Sequence, residues 1–210
     1  MFKIAPEGLP FIICSAILTF IIYASGRNWI AALPALLTLF IIFFFRDPDR
    51  VIPEEEGAFV SPADGRIIVI KDVFDPLYLK KKVKLISIFM SPFNVHVNRS
   101  PVTGKVSDII HTRGDFHAAY KDSAAATNEN TVMILDSNYG RIAVRQVAGF
   151  IARRIVCRVR PGDNLSTGQK YGIIKFGSRV DIFLPEDVEV VVVPDKRSKA
   201  GETILARAKR

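Results

Sequence analysis

Cysteine and histidine are scarce: 210 residues hold two cysteines, three histidines and one tryptophan. Two cysteines exclude a disulfide scaffold and a cysteine-rich zinc site. Cys14 lies in an apolar run and Cys157 in a strand-like one, so pairing is not expected and a reducing compartment is the default. His96, His111 and His117 show no short ligand spacing and have no cysteine beside them, which argues against a metal centre. A glycine-rich phosphate loop and a Gly-x-Ser-x-Gly elbow are missing. Aromatic residues do not interleave with the basic ones, so nucleic acid is not an expected partner despite a formal charge of +8. With 49% hydrophobic and 24% charged residues, the chain is neither disordered nor fibrous, and its length fits one or two compact units.

Charge is absent from two stretches. Gly8 to Gly26 gives 19 uncharged residues and Asn28 to Phe45 gives 18, with Arg27 alone between them. At ~1.5 Å per helical residue, each approaches the ~30 Å hydrocarbon layer of a bilayer. The first run is apolar all round. Pro34 should kink the second helix or mark a shallow, re-entrant path. A buried hairpin of a soluble core would need a large apolar surface around it, and residues 47–210 offer none. A cleaved signal peptide does not fit two runs without a small-residue cleavage site. Lys3, Arg46 and Arg50 against Arg27 favour both ends on the cytoplasmic side, as would a shallow hairpin inserted from that face. The expected division is a membrane-associated helical hairpin, 1–46, followed by a second domain, 47–210, facing the cytoplasm from the cell membrane.

Beyond Arg46, short apolar runs alternate with turn signals. Ala58–Val60, Arg66–Ile70, Val83–Met90, Thr131–Leu135, Arg141–Val147, Ile155–Val159, Ile173–Phe176, Arg179–Leu184 and Val188–Val193 read as strands. The fold class is mainly β, a sandwich or barrel-like domain. Residues 115–126 suit a short helix or long loop. The tail from Pro194 to Arg210, with six basic and two acidic residues, reads as a solvated segment whose charge also suits an anionic lipid surface.

Three turns could carry chemistry. Ser61-Pro62-Ala63-Asp64-Gly65 sets a carboxylate at a tight corner. The segment from Ser91 to Gly104 sets His96 among polar residues between two prolines. Phe176-Gly177-Ser178-Arg179 interrupts two apolar runs. Each alone is an ordinary structural turn. In this order the pieces are specific. Phe44-Phe45-Arg46-Asp47-Pro48, the Ser61–Gly65 turn, Ser-Pro-Phe-Asn-Val-His-Val-Asn-Arg ending at Arg99, Asn128-Glu129-Asn130, Gln146-Val147-Ala148-Gly149 and the run from Gly168 to Arg179 together resemble the phosphatidylserine decarboxylases in their short bacterial and archaeal form. The resemblance covers about Phe44 to Pro185.

The resemblance implies a pyruvoyl-dependent proenzyme of phospholipid biosynthesis that cuts itself between Gly177 and Ser178. Residues 1–177 would form the β subunit, and 178–210 an α subunit whose first residue, made from Ser178, is the pyruvoyl cofactor. It implies a heterodimer of these two chains, with further oligomerisation open, and neither metal nor pyridoxal phosphate. The phospholipid's amine would form a Schiff base with the ketone, which accepts electrons as carbon dioxide leaves and phosphatidylethanolamine forms. Asp64 would orient the histidine, and His96 matches the family's histidine. Many longer members have a second histidine three positions on, credited with activating the serine. Here that position is Arg99, which leaves His96 for both stages, with His117 or His111 as substitutes. Arg46, Arg50, Arg99 and His117 are candidates for contacts to the lipid substrate. The turn pattern of the β domain also resembles the biotinyl/lipoyl-type folds, which would suggest a carrier module. A carrier module would need an exposed lysine at a hairpin tip, whereas Lys175 lies in an apolar strand. A membrane-tethered hydrolase built on Ser178, His96 and Asp64 is the other alternative, without a visible oxyanion motif.

Overall fold

The computed structural model describes residues 3–115, 127–149, 154–175 and 177–209. Internal contacts separate two units, Met1–Asp49 and Arg50–Arg210. Residues 47–49, expected to open the second domain, hold to the first: the Asp47 amide donates to the Lys3 carbonyl (2.8 Å) and Lys3 pairs with Asp49.

In the N-terminal unit a single 3-10 turn, Pro6–Gly8, leads into α1 (Leu9–Ala24), and Gly26, at φ +78°, turns the chain into α2 (Asn28–Phe44). Only glycine takes that left-handed backbone cheaply. The few polar side chains face each other across the pair. Ser15 and Thr38 share a hydroxyl bond of 2.8 Å, and both reach the Pro34 carbonyl. Helix α2 continues through Pro34. Outward positions are apolar and exposed, Phe20 at 70% and Leu33 at 76%. Pro6–Ala24, 19 residues of mean hydropathy 1.9, is long and apolar enough to cross a membrane, whereas α2 is shorter. Only the first of the two apolar runs thus reaches bilayer length as a helix.

The second unit is built from strands β1 (Ala58–Val60), β2 (Gly65–Asp75), β3 (Lys81–Met90), β4 (Val97–Arg99), β5 (Gly104–Thr112), β6 (Asn130–Ser137), β7 (Gly140–Ala148), β8 (Ile155–Cys157), β9 (Asn164–Leu165), β10 (Lys170–Ile174), β11 (Ser178–Pro185), β12 (Glu189–Val190), β13 (Arg197–Ser198) and β14 (Ile204–Arg207). Eight form one antiparallel sheet, in the order β13-β2-β3-β11-β7-β6-β5-β9. Two three-stranded sheets, β1-β14-β12 and β4-β10-β8, complete the unit. The mainly β expectation therefore holds, and the biotinyl/lipoyl-like label finds no support in the strand order.

Alternation along the strands gives the large sheet two buried faces. One carries the main core, with Ile86, Ile88 and Met90 of β3, Ile142, Val144 and Ala148 of β7, and Val180, Ile182 and Leu184 of β11. The other carries a smaller cluster with Val83, Leu85, Val132, Ala143 and Phe183. Strand β11 lies between β3 and β7 and is buried along its whole length.

Three sequence expectations need correction. The strand expected over Val188–Val193 shrinks to Glu189–Val190, because only these pair with β14. Strand β5 had no counterpart in the expected set: a register shift between Val106 and Asp108 breaks the alternation that would reveal it. The C-terminal tail is not a solvated segment. Strand β13 adds to the large sheet, and β14 pairs β1 with β12, burying Leu205 and Ala206 completely. The helix or loop expected over 115–126 lies outside the described residues but for Asp115, which bridges to Asn128.

If β14 belongs to the core, Leu205→Ala costs about 2–4 kcal/mol. A urea unfolding midpoint unchanged from wild type would show the tail to be dispensable.

Candidate active site

Ser178 opens β11 and is completely buried, paired in register with Met90 on one side and Ala148 on the other. Gly177 precedes it at φ +59°, a conformation that costs other L-residues roughly 1–2 kcal/mol. The chain thus passes from a left-handed glycine directly into a buried central strand. The Ser178 hydroxyl donates to the Met90 Sδ at 3.3 Å.

The other motifs gather around the same strand ends. Asn98 of β4 points its Nδ2 at Met90 Sδ (3.8 Å) and at the Pro62 carbonyl (3.4 Å), and its Oδ1 accepts from Gln146 Nε2 at 2.8 Å. Asn128 Nδ2 donates to the Ala148 carbonyl (2.7 Å), next to the Ser178 pairing position. The Ser61–Gly65 turn, the β4 segment, the Asn128–Asn130 segment and the Gln146–Gly149 segment, separate in sequence, are therefore one hydrogen-bonded assembly. Close packing fixes it: a Cβ on Gly172 would lie 2.4 Å from the Val156 carbonyl oxygen and 3.0 Å from Gln146 Nε2.

His96 is completely buried. Its Nδ1 lies 2.9 Å from the Asn94 carbonyl oxygen. A carbonyl only accepts, so Nδ1 carries the proton, and in the neutral ring the basic lone pair sits on Nε2. The His96 carbonyl accepts from the Ile174 amide (3.3 Å), tying it to the chain four residues before Ser178. Asp64 is placed differently from the sequence-based expectation. Arg50 Nη2 donates to both its oxygens (2.9 and 2.8 Å), and the Ala200 amide donates to Oδ1 at 2.7 Å. No described hydrogen bond joins Asp64 to His96. Ser178, His96 and Asp64 consequently do not form a relay of hydrogen bonds, which removes the geometric basis for a hydrolase triad.

The remaining candidates are accounted for one by one. The Arg50 side chain is 7% exposed and occupied by Asp64, with Glu202 at 3.8 Å. Arg99 is buried and donates from Nη1 to the Gly168 carbonyl (3.0 Å). Lipid-phosphate contacts thus find no support at these two positions. Arg46 belongs to the N-terminal unit, its guanidinium 3.9 Å from the Phe43 ring centroid and bonded to the Phe43 carbonyl. His111 is exposed on β5, three strands from β11, with Nδ1 at 3.0 Å from Thr131 Oγ1. His117 lies outside the described residues, as does Phe176. Lys175 follows β10, and its amide donates to the Arg154 carbonyl, so it is not at a hairpin tip.

The opposite face of β11 holds a cluster the motifs did not announce. Asp181, fully buried, accepts from Arg145 Nε and Nη2 (3.0 and 2.6 Å) and from Arg179 Nε (2.6 Å). Arg179 Nη2 continues to Ser87 Oγ at 2.8 Å. Burial pushes the Asp181 carboxyl up, but the two guanidiniums and the Ser87 hydroxyl outweigh it and hold the group below its ordinary value. The signal was present in the sequence: two charges at alternate positions of an otherwise apolar strand.

Comparison of the sequence with known proteins places the chain in a family. The family model for phosphatidylserine decarboxylase matches residues 37–206. A phosphatidylserine decarboxylase proenzyme of Desulfotalea psychrophila is 46% identical over 205 residues, covering 97% of this chain and 96% of that protein. Proenzymes of the same name from Syntrophus aciditrophicus and Symbiobacterium thermophilum are each 44% identical, covering 96% and 97% of this chain and 96% and 95% of their own lengths. The chain belongs to the phosphatidylserine decarboxylase family.

Removing the carboxylate of the buried cluster leaves two guanidiniums without their counter-charge. Asp181→Asn should cost about 3–5 kcal/mol at pH 7, read from urea unfolding. Because the folded carboxyl titrates below the unfolded one, its contribution is complete above about pH 4 and is lost as the pH falls through the folded value. The wild-type melting temperature should therefore fall below about pH 4, and Asp181→Asn should show a smaller fall. Equal acid sensitivity in both would remove Asp181 from this role.

Proposed function

We propose that this chain is a proenzyme that cleaves itself between Gly177 and Ser178 and then decarboxylates phosphatidylserine to phosphatidylethanolamine through a pyruvoyl group formed from Ser178. The observation that carries this is the junction itself: a glycine in the left-handed region followed by a buried serine at the start of a central strand, in a chain of this family.

Self-cleavage proceeds on the chain's own atoms. The Ser178 Oγ attacks the Gly177 carbonyl carbon, the peptide C–N bond breaks, and an ester replaces it. Loss of the Ser178 α-proton expels the Gly177 carboxylate and leaves a dehydroalanine. The dehydroalanine tautomerises to an imine, water adds and ammonia departs, which leaves a ketone at the former Ser178 Cα and a methyl group in place of the hydroxymethyl. The absence of a Cβ at Gly177 lets the backbone adopt this left-handed geometry and leaves the carbonyl open to attack. His96 is the base: its Nδ1 proton is held by Asn94, which directs the Nε2 lone pair to proton transfer. Asp64 acts through Arg50 and Ala200, locking the Ser61–Gly65 turn to residues 178–210, instead of orienting the imidazole.

The residues around position 178 fit the resulting group. The site is dry and paired on both sides by backbone, so a planar carbonyl keeps the seat of the serine. When formed, that group supplies an electron-accepting carbonyl that no standard side chain offers. Exclusion of water by the apolar surroundings favours loss of the substrate's carboxylate charge. The apolar N-terminal helix would keep the enzyme at the cell membrane, where the lipid headgroup lies, at high effective concentration. The products of cleavage, 1–177 and 178–210, would remain together as an αβ pair.

Denaturing electrophoresis tests the proposal. Wild type should resolve into two fragments and Ser178→Ala should remain one chain of 23.4 kDa. Mass spectrometry of fragment 178–210 should show a ketone at its first residue, reactive towards hydroxylamine. Active enzyme recovered as one unbroken chain would defeat it. His96→Gln should slow cleavage about a hundredfold or more if His96 is the base; cleavage at the wild-type rate would assign the base elsewhere.

A further inference from the structure

The hydroxyl that begins the proposed self-cleavage sits where a polar group is costly. Ser178 faces the main core with Val180 and Ile182, and at zero exposure no solvent reaches it. A buried O–H needs an acceptor. The structure provides a thioether, Met90 Sδ, at 3.3 Å.

The sulfur is itself held in place. Met90 ends β3, is completely buried, and is directly opposite Ser178 in the ladder. Asn98 Nδ2 approaches the same sulfur at 3.8 Å. Asn98 is anchored in turn by Gln146 and the Pro62 carbonyl. A chain of contacts therefore runs from two of the gathered motifs through Met90 to the serine oxygen.

We infer that Met90 is a positioning residue for self-cleavage: its thioether fixes the Ser178 side chain before attack. This rests on the self-cleaving reading above. Sulfur suits the task because it is a weak acceptor. It orients the O–H without competing strongly for the proton that a base must remove. A carboxylate or carbonyl at the same place would bind that proton more firmly. The contribution is also confined in time. Once the hydroxymethyl group has become the methyl of the pyruvoyl group, no O–H remains for Met90 to hold, so the mature reaction does not need this acceptor.

That confinement gives the test. Met90→Leu nearly conserves volume and removes the acceptor. In a pulse-labelled cell-free synthesis with lipid vesicles, the full-length chain is followed on denaturing gels. Decarboxylation of phosphatidylserine is then measured per cleaved chain. Met90→Leu should cleave about fivefold more slowly than wild type, with turnover per cleaved chain within about twofold. Melting of Met90→Leu in a Ser178→Ala background, against Ser178→Ala alone, separates positioning from misfolding, and a small difference is expected. Cleavage at or above the wild-type rate would overturn the inference, and so would an equal fall in cleavage and in turnover per cleaved chain. Wild type that never cleaves would defeat the self-cleaving reading itself, a result distinct from a Met90 variant that behaves as wild type.

Discussion

Two buried charged side chains, Asp181 and Arg179, together with the partly buried Arg145, hold strand β11 in register, and the candidate site takes its position from that strand. Burying a charge is costly unless a partner is close. Asp181 has two guanidiniums within hydrogen-bond distance, and Arg145 also lies over the Phe183 ring at 5.3 Å. Side chains alternate between faces, so a slip of one residue would turn Arg179 and Asp181 into the apolar core and Ser178 out of it. The cluster therefore specifies the face on which Ser178 lies. One side of the strand is apolar and carries the Ser178 hydroxyl; the other is ionic and fixes the alignment.

The loops around the strand ends are held by a different kind of tie. Arg50 bridges to Asp64, Asp64 accepts from the Ala200 amide, and Arg99 reaches the Gly168 carbonyl. Each joins segments far apart in sequence, including residues on both sides of the Gly177–Ser178 bond. Side chains that looked like anion-binding groups in the sequence are cross-links in the fold, and their burial agrees with that use. A charged residue beside a motif is poor ground for a substrate contact until its own partner is known.

Much of the β architecture was legible because its strands alternate and turn signals separate them. The large strands β2, β3, β6, β7 and β11 all fall on such runs. Strand β5 escaped because its bulge shifts the hydrophobic phase. Strand β14 escaped because its two buried residues lie in a tail whose charge suggested solvent. At the candidate site, Ser178, Gly177, His96 and Asp64 were singled out by motif order, but the pairing of Asp64 with Arg50 was not. Contacts between residues 14 positions apart across a turn have no periodic signature. Met90 was invisible for a related reason: as the last apolar residue of a strand, it looks like any other core residue until the sheet shows what stands opposite.

Residues 178–210 are not an appendage on one edge. They supply β11 inside the large sheet, β13 at its rim, and β12 and β14 in a second sheet against β1. A peptide woven through two sheets cannot peel away strand by strand. Both of its ladders in the large sheet and the small sheet must open together. Severing the backbone at its start would thus leave an interlaced molecule whose pieces would trade places between copies only through global unfolding, so each copy would keep its own fragment.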